Sequence, residues 1–341
     1  MPAGLGQTLP TVTVVVPTLA ADDSLDACLA SLARQTFSDF EVVVVDNSGR
    51  RVVQGDGRVQ VIANERNVGF GAAVNQAFRQ SNAPYLAVLN DDAIADPGWL
   101  EALLVAIEPR SDVGMCASQV RLGLGFASDG TLDSAGMLIC LDGSSKQRGH
   151  GDAAATYSRQ EEALLPSGSA ALYRREMLEE IGLFDESFFL YCEDTDLGLR
   201  ARWAGWECLY VPDAVVAHHY SRSAGRASAL KAYLVERNRL FVIFKNFPLL
   251  DLLRVPYYAT ARYFWHFTYA LGGRGKAAEF EREGGSLMRL PWYVVRAHIA
   301  LLGRLPEIWR QRRGMKRRLS SKQFSRQMRR HSISPRQVAA L

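Results

Sequence analysis

Along the first hundred residues, short apolar runs alternate with amphipathic stretches. The runs "TVTVVVPT" (Thr11–Thr18), "FEVVVVD" (Phe40–Asp46), "VQVIA" (Val59–Ala63) and "YLAVL" (Tyr85–Leu89) hold few polar side chains and many valines. Between the first two, Leu25, Cys28, Leu29 and Leu32 recur at the spacing of one helix face. Asp22, Asp23 or Ser24 can cap that helix. "NVGFGAAVNQAFRQS" reads as a second helix, opened by Gly69 and Gly71. A strand with water on one face alternates in polarity, whereas these runs are continuous and so predict burial on both faces. The pattern predicts an α/β layer, a mainly parallel sheet flanked by helices. In such sheets, ligands gather beyond the carboxyl ends of the strands. Three runs discharge polar residues there: Pro17-Thr18, Asp46-Asn47 and Asn90-Asp91-Asp92.

The pattern weakens over 121–167, which is rich in Gly, Ser and Asp and predicts loops with a strand near "SAGMLICLDG". A helix is predicted after "LPSGSAALYRREMLEEIGLFD", and another from about Thr195 to Ala204 with Gly205 at its end. "ECLYVPDAVVAHHY" predicts strand, turn and strand. From about residue 226 the chain becomes helical and aromatic, punctuated by Arg and Lys. Two parts are therefore predicted, 1–225 and 226–341.

Charge changes this picture more than composition does. The 341-residue chain carries a formal charge of +4. From Arg304 to Arg330, however, eleven Arg and Lys face one acid, Glu307, so the remainder sums to minus six. A basic tail on a mildly acidic body seeks phosphate-rich surfaces, either nucleic acid or anionic lipid. The five cysteines are odd in number and none sits at metal-ligand spacing, which predicts reduced thiols in the cytoplasm. "MPAGLGQTLP" lacks the pattern of a secretory signal. No run of 18 uncharged apolar residues predicts a membrane span. The aromatics from Tyr257 to Tyr269, with Trp292, Tyr293 and Trp309, suit an in-plane amphipathic contact with a membrane. Packing within the protein or in a homo-oligomer is the competing reading.

Candidate chemistry lies in three places. Asp91 and Asp92 have no capping duty, since Asp96 and Pro97 serve the next helix, and adjacent carboxylates at a sheet edge suit a hard divalent cation. Glu193 and Asp194 follow the aromatic "FFLYC", and a carboxylate against an apolar wall can act as a general base. His218 and His219 end a strand, where one ring is a candidate ligand.

In order and spacing, "VVVPT", "SLARQTFSDFEVVVVDNSG", "ERNVGFGAAVNQAF", "LAVLNDDAIADPGWL", "GLFDESFFLYCEDTDLGLRARWAGW" and "VPDAVVAHHYSRS" resemble an inverting family 2 glycosyltransferase with the GT-A fold. These runs cover most of 11–223. "RNRLFVIFKNFP" further resembles the rhamnosyltransferase-like branch, which acts on cell-surface polysaccharide. The resemblance implies that Pro17, Thr18 and Asp46 hold the base and ribose of a nucleoside-diphosphate sugar, with Asn67 and Gly69 on the nucleotide side. Asn90, Asp91 and Asp92 stand at the family's DxD metal motif, with Asn in its first position. Asp92 is then the expected ligand of Mg²⁺ or Mn²⁺, completed by His218 or its neighbour His219. Asp194 matches the catalytic base, with Glu193 as the alternative.

The implied donor is dTDP-L-rhamnose, with UDP-galactofuranose or a UDP- or GDP-hexose as alternatives. The implied acceptor is a lipid-linked or polysaccharide glycan. The enzyme would sit peripherally on the inner face of the cell membrane, against anionic lipid. No nucleic-acid partner is expected, although the basic tail makes nucleic-acid binding the rival from another functional class.

Overall fold

The computed structural model describes residues 9–20, 22–123, 130–218 and 228–341. The chain begins β1 (Val12–Thr18), α1 (Ser24–Leu32), β2 (Phe40–Asp46), β3 (Val59–Ala63), α2 (Phe70–Gln80) and β4 (Tyr85–Leu89). It continues through β5 (Ala93–Ala95), α3 (Trp99–Ile107), β6 (Val113–Leu122), β7 (Leu132–Ser134), β8 (Met137–Ile139), β9 (Ser145–Gln147) and β10 (Glu161–Ala163). Then come β11 (Ala170–Arg174), α4 (Arg175–Ile181), α5 (Glu193–Trp203) and β12 (Glu207–His218). The remainder is helical: α6 (Ala229–Asn246), α7 (Leu249–Leu252), α8 (Val255–Leu271), α9 (Gly275–Arg282), α10 (Leu290–Gly314), α11 (Ser321–Arg330) and α12 (Pro335–Ala340).

The main sheet runs β10-β12-β6-β11-β4-β1-β2-β3, with β5 on β12 and β7 on β6. The pairs β4–β1, β1–β2 and β2–β3 are parallel. Their valines are buried on both faces, as continuous apolar runs require: Val14 and Val16 pack to one side, Val15 and Val43 to the other. β11 lies antiparallel between β4 and β6. The sequence predicts no separate strand here, because a five-residue apolar run has no readable period of its own. β12 is one strand rather than two. Its pairing with β6 slips between Val211 and Val215, so Pro212, Asp213 and Ala214 form an irregular bulge, where a residue without an N–H is tolerated.

The boundary expected near residue 225 lies outside the described residues. One apolar cluster joins Leu164, Leu165, Phe188, Leu199 and Trp203 to Phe241, Ile243, Leu301, Ile308, Phe324 and Met328 of the C-terminal helices. Trp203 stacks on Phe324 with ring centres 4.0 Å apart. The basic tail is largely folded onto this body. Arg312 donates to the carbonyls of Phe244 (2.9 Å) and Phe247 (2.6 Å). Arg317 lies over the Trp203 ring, and Arg318 pairs with Glu180. No helix among the described residues is long and apolar enough to cross a membrane.

Candidate active site

The parallel register sets Thr18 beside Asp46, and the Asn47 amide donates to the Thr18 carbonyl at 2.8 Å. Asp46 is fully buried and accepts from the amides of Ser48 (2.8 Å), Val52 (2.9 Å) and Val53 (3.2 Å). Burial opposes its charge, but Ser48 and these amides hold the carboxyl below its ordinary value. Asp46 therefore shapes the loop after β2. Pro17 and Thr18 close β1 alongside it.

On the next loop, Asn67 accepts from the Gly69 amide at 2.9 Å, and Asn47 donates to the Gly69 carbonyl at 3.3 Å. Gly69 has φ +91°, and a Cβ there would fall 2.3 Å from the Phe189 carbonyl oxygen. That close approach ties the start of α2 to the segment before Glu193. The bond from the Phe70 amide to the same oxygen (2.8 Å) completes the link.

The strand-end trio divides. The Asn90 amide donates to the Ser169 carbonyl at 2.9 Å. Asp91 turns back and accepts from the Thr18 hydroxyl at 2.6 Å. Burial, with the nearby charge of Asp92, raises its pKa despite that bond. Asp92 instead meets His218, with Oδ1 and Nε2 3.1 Å apart. This contact arises because β5 pairs with β12, setting Ala93 beside His218. The other imidazole nitrogen, Nδ1, lies 2.8 Å from Asp133 Oδ2. His150 Nδ1 is 3.2 Å from the opposite oxygen of Asp133.

A carboxylate behind an imidazole fixes which nitrogen faces the site, the arrangement seen behind metal-binding histidines. Burial would lower the His218 pKa, but Asp133 and Asp92 hold the protonated ring up to about 10. The two histidines in turn hold Asp133 down to about 2 against its burial. Asp92 Oδ1 and His218 Nε2 face each other at 3.1 Å and fit a divalent cation as two ligands where the cation takes the place of the Nε2 proton, with further ligands left to a phosphate and water. No group of three or more His, Cys, Asp or Glu forms a metal cage among the described residues. His219 lies outside the described residues.

The second carboxylate pair opens α5. Phe189, Tyr191 and Cys192 all have positive φ (65°, 71° and 66°), three strained non-glycine residues leading into Glu193. Asn238 of α6 clamps this turn. Its amide nitrogen lies 3.0, 2.8 and 2.7 Å from the carbonyls of Phe188, Leu190 and Tyr191. Arg237 also donates to Phe188 at 2.7 Å.

The turn delivers two unequal carboxylates. Glu193 is buried, and its Oε2 has no hydrogen-bond partner. Burial and the charge of Asp194 push its pKa up, so it is the neutral member of the pair. Asp194 keeps partial exposure and accepts from the amides of Gly168 (3.1 Å) and Thr195 (2.6 Å). These amides offset part of the upward push that burial exerts on it.

The model of the glycosyltransferase-like family 2 matches residues 10–241, a span holding every residue of this site. The chain belongs to that family. This glycosyltransferase is 32% identical over 246 residues to the N-acetylglucosaminyl-diphospho-decaprenol L-rhamnosyltransferase of Mycobacterium tuberculosis (strain ATCC 25618 / H37Rv), covering 64% of this chain and 80% of that protein. It is 28% identical over 240 residues to an O-antigen biosynthesis protein of Myxococcus xanthus, covering 65% of this chain but 18% of that one. Among solved structures it resembles GalNAc-T7 with UDP, GalNAc and Mn²⁺ at a TM-score of 0.56 and 15% identity, over 83% of this chain and 56% of that one. The fold is GT-A.

Within the glycosyltransferase, three partners escaped the sequence reading. Asp133 stands in a Gly- and Ser-rich stretch with no periodic signal. Gly168 contributes only an amide. Asn238 stands inside "RNRLFVIFKNFP", which the sequence reading quoted for its resemblance alone.

Proposed function

We propose that this enzyme transfers a sugar, with inversion, from a nucleoside diphosphate to a hydroxyl of a lipid-linked or cell-surface glycan, with Asp194 as general base. The relative from Mycobacterium tuberculosis supports dTDP-L-rhamnose as the first donor to try and a polyprenyl-diphosphate-linked sugar as the acceptor. UDP-galactofuranose and UDP- or GDP-hexoses are the alternative donors. The carrying observation is the unequal pair at the start of α5: Glu193 buried with Oε2 unpartnered, Asp194 partly exposed and oriented by two amides.

Asp194 takes the proton of the acceptor hydroxyl as its oxygen attacks the anomeric carbon. The bond from that carbon to the diphosphate breaks on the opposite face, through an oxocarbenium-like transition state. Glu193, neutral at its buried position, leaves Asp194 as the one charged acceptor for the proton. Pro17, Thr18, Asp46, Asn67, Gly69, Asn90 and Asp91 would line the nucleotide side. Asp92 and His218 would hold Mg²⁺ or Mn²⁺, which when bound supplies positive charge against the leaving diphosphate.

The test is Asp194→Asn. Metal-dependent binding of the donor nucleotide should persist while transfer falls ~10²–10⁴-fold, the usual cost of losing a general base. Transfer near the wild-type rate would reject the assignment. A screen of nucleotide sugars for metal-dependent hydrolysis identifies the donor.

The membrane contact is read from two helices. On α8 and the turn before it, Leu253, Tyr257, Thr260, Phe264, Phe267 and Leu271 face outward at alternating steps of four and three. On α10, Trp292, Val295, Ile299, Leu302 and Trp309 repeat the spacing. Exposed arginines, Arg296, Arg304, Arg310 and Arg313, flank that second stripe. Aromatic and aliphatic side chains edged by cations suit an anionic leaflet, to which each basic residue adds about 1 kcal/mol.

A further inference from the structure

Positive charge gathers beside Asp194, and two of its members, Lys146 and Lys231, have no carboxylate paired with them among the described residues. Lys146 follows Ser145 on β9, and the Ser145 hydroxyl accepts from the Thr195 hydroxyl at 2.8 Å, one residue from Asp194. Lys231, on the first turn of α6, lies over the Tyr191 ring, 5.4 Å from its centre. Tyr191 belongs to the strained turn that carries Glu193 and Asp194. Lys276 opens α9 and pairs with Glu279 at 2.8 Å. Arg262 of α8 is already engaged, by Asp142 at 2.5 Å and Glu236 at 2.8 Å.

Among the described residues, no carboxylate lies in salt-bridge range of the Lys146 or Lys231 ammonium. The crowding shows in their protonation. Burial first, then Lys276, Lys231 and Arg262, bring Lys146 down to about 8 from 10.5. Burial and Lys276 lower Lys231 as well. Burial, Arg262 and Lys146 keep His266 neutral, at about 3. Ammonium groups from three elements repel one another, and the carboxylates that face them, Glu279 and Glu283, offset that repulsion only in part, so the cluster forms a place for a multivalent anion.

We propose that Lys146, Lys231 and Lys276 form a subsite for a diphosphate carried by the acceptor. The inference rests on the acceptor reading above and deepens it. A polyprenyl-diphosphate-linked sugar presents three groups in order: hydroxyl, diphosphate, lipid. The protein presents Asp194, then the lysines, then α8. On α8, Arg262 and His266 turn toward the cluster, while Thr260, Phe264 and Phe267 face outward on the opposite side. The chemistry of the three groups matches in the same order.

The test uses farnesyl diphosphate, a soluble prenyl diphosphate, titrated into the full-length protein in EDTA so that a metal-dependent site stays silent. Saturable binding is expected. Lys146→Ala and Lys231→Ala should each weaken it about tenfold, since each removes one charged contact. Affinity for dTDP with Mn²⁺ should stay within twofold, which also reports an intact fold. Unchanged farnesyl diphosphate affinity in the double variant would overturn the subsite. So would a parallel loss of dTDP affinity, which would assign the lysines to the donor. Weakened sedimentation with phosphatidylglycerol vesicles, with farnesyl diphosphate affinity unchanged, would assign them to a lipid headgroup and equally overturn it. Absence of any nucleotide-sugar hydrolysis by the wild-type protein would instead count against the transferase reading, separately from the subsite.

Discussion

Replacing Asn238 by alanine separates the holding of Asp194, the proposed base, from Asp194 itself. Asn238 is fully buried, and its two amide hydrogens serve the carbonyls of Phe188, Leu190 and Tyr191. Phe188 keeps a second donor in Arg237, so the loss falls chiefly on Leu190 and Tyr191. A buried carbonyl left without its donor costs ~1–3 kcal/mol, and two such losses give about 2–4 kcal/mol once partial relaxation is allowed. That is a sizeable part of a typical folding stability of ~5–15 kcal/mol, but the chain should still fold.

The functional effect should exceed the structural one. Phe189, Tyr191 and Cys192 are held at positive φ, each at a cost of ~1–3 kcal/mol. Without the clamp, that strain drives the turn toward ordinary backbone and moves Asp194 with it. A displacement near 1 Å can cost ~10²-fold in rate. Asn238→Ala should therefore lower kcat by about that factor and leave KM for the donor within a few-fold, with a clear drop in Tm by circular dichroism. A lowered Tm with wild-type kcat would refute the reasoning, because the clamp would then serve stability alone.

Asp133→Asn should remove the carboxylate that orients His218 and weaken Mn²⁺-dependent dTDP binding roughly 10–100-fold, as read by calorimetry. Unchanged affinity would free His218 from that role. In acid, Asp185 is held down to about 2 by Lys245 against its burial. Its contribution of about 2 kcal/mol is complete above the ordinary value near 4 and disappears as pH falls toward 2. Denaturant unfolding at pH 7, 4 and 2.5 should show that loss, and Lys245→Met should flatten it. Asp194, whose pKa burial pushes up, should lose its base form at a higher pH than an ordinary carboxylate, so the acid limb of kcat should lie above pH 4. Ile299→Ser with Leu302→Ser should reduce sedimentation with phosphatidylglycerol vesicles and leave donor hydrolysis unchanged. If the pair instead dissociates an oligomer with vesicle binding intact, the stripe of α10 is a subunit interface.

The cluster at the strand ends was legible because local and global signals agree there. A continuous apolar run dictates a buried strand, and the polar residues at its end fall on the ligand edge whatever the rest of the chain does. Thr18, Asp46 and Asp91 converge for that reason. Asp133 and Asn238 were not legible, because their roles exist only after packing. Asp133 meets His218 through the pairing of β7 with β6 and of β6 with β12. Asn238 reaches its three carbonyls from a helix about fifty residues further along the chain. A polar residue in a Gly-rich loop or on a mixed helix carries no mark of such a partner.

Charge counting treated every cation of the basic tail as free to seek phosphate, whereas several are engaged by the protein itself. Arg312 is spent on carbonyls at the end of α6, Arg317 covers Trp203, and Arg318 and Arg329 pair with Glu180 and Asp251. Phe324 and Met328 of the same tail are buried against Trp203 and its neighbours. Removing residues 310–341 would therefore uncover the core beneath α5, the helix that carries Asp194. A truncation cannot tell membrane attraction from collapse of the site. Arg262 shows the same inversion at a single residue, since the one charged side chain within α8 turns inward to Asp142 and Glu236 while the outward stripe carries no charge. In water that arrangement leaves apolar surface bare, and on a bilayer the same stripe is covered. The informative substitutions are therefore on the outward faces of α8 and α10, where a side chain can change without disturbing the packing that holds Asp194.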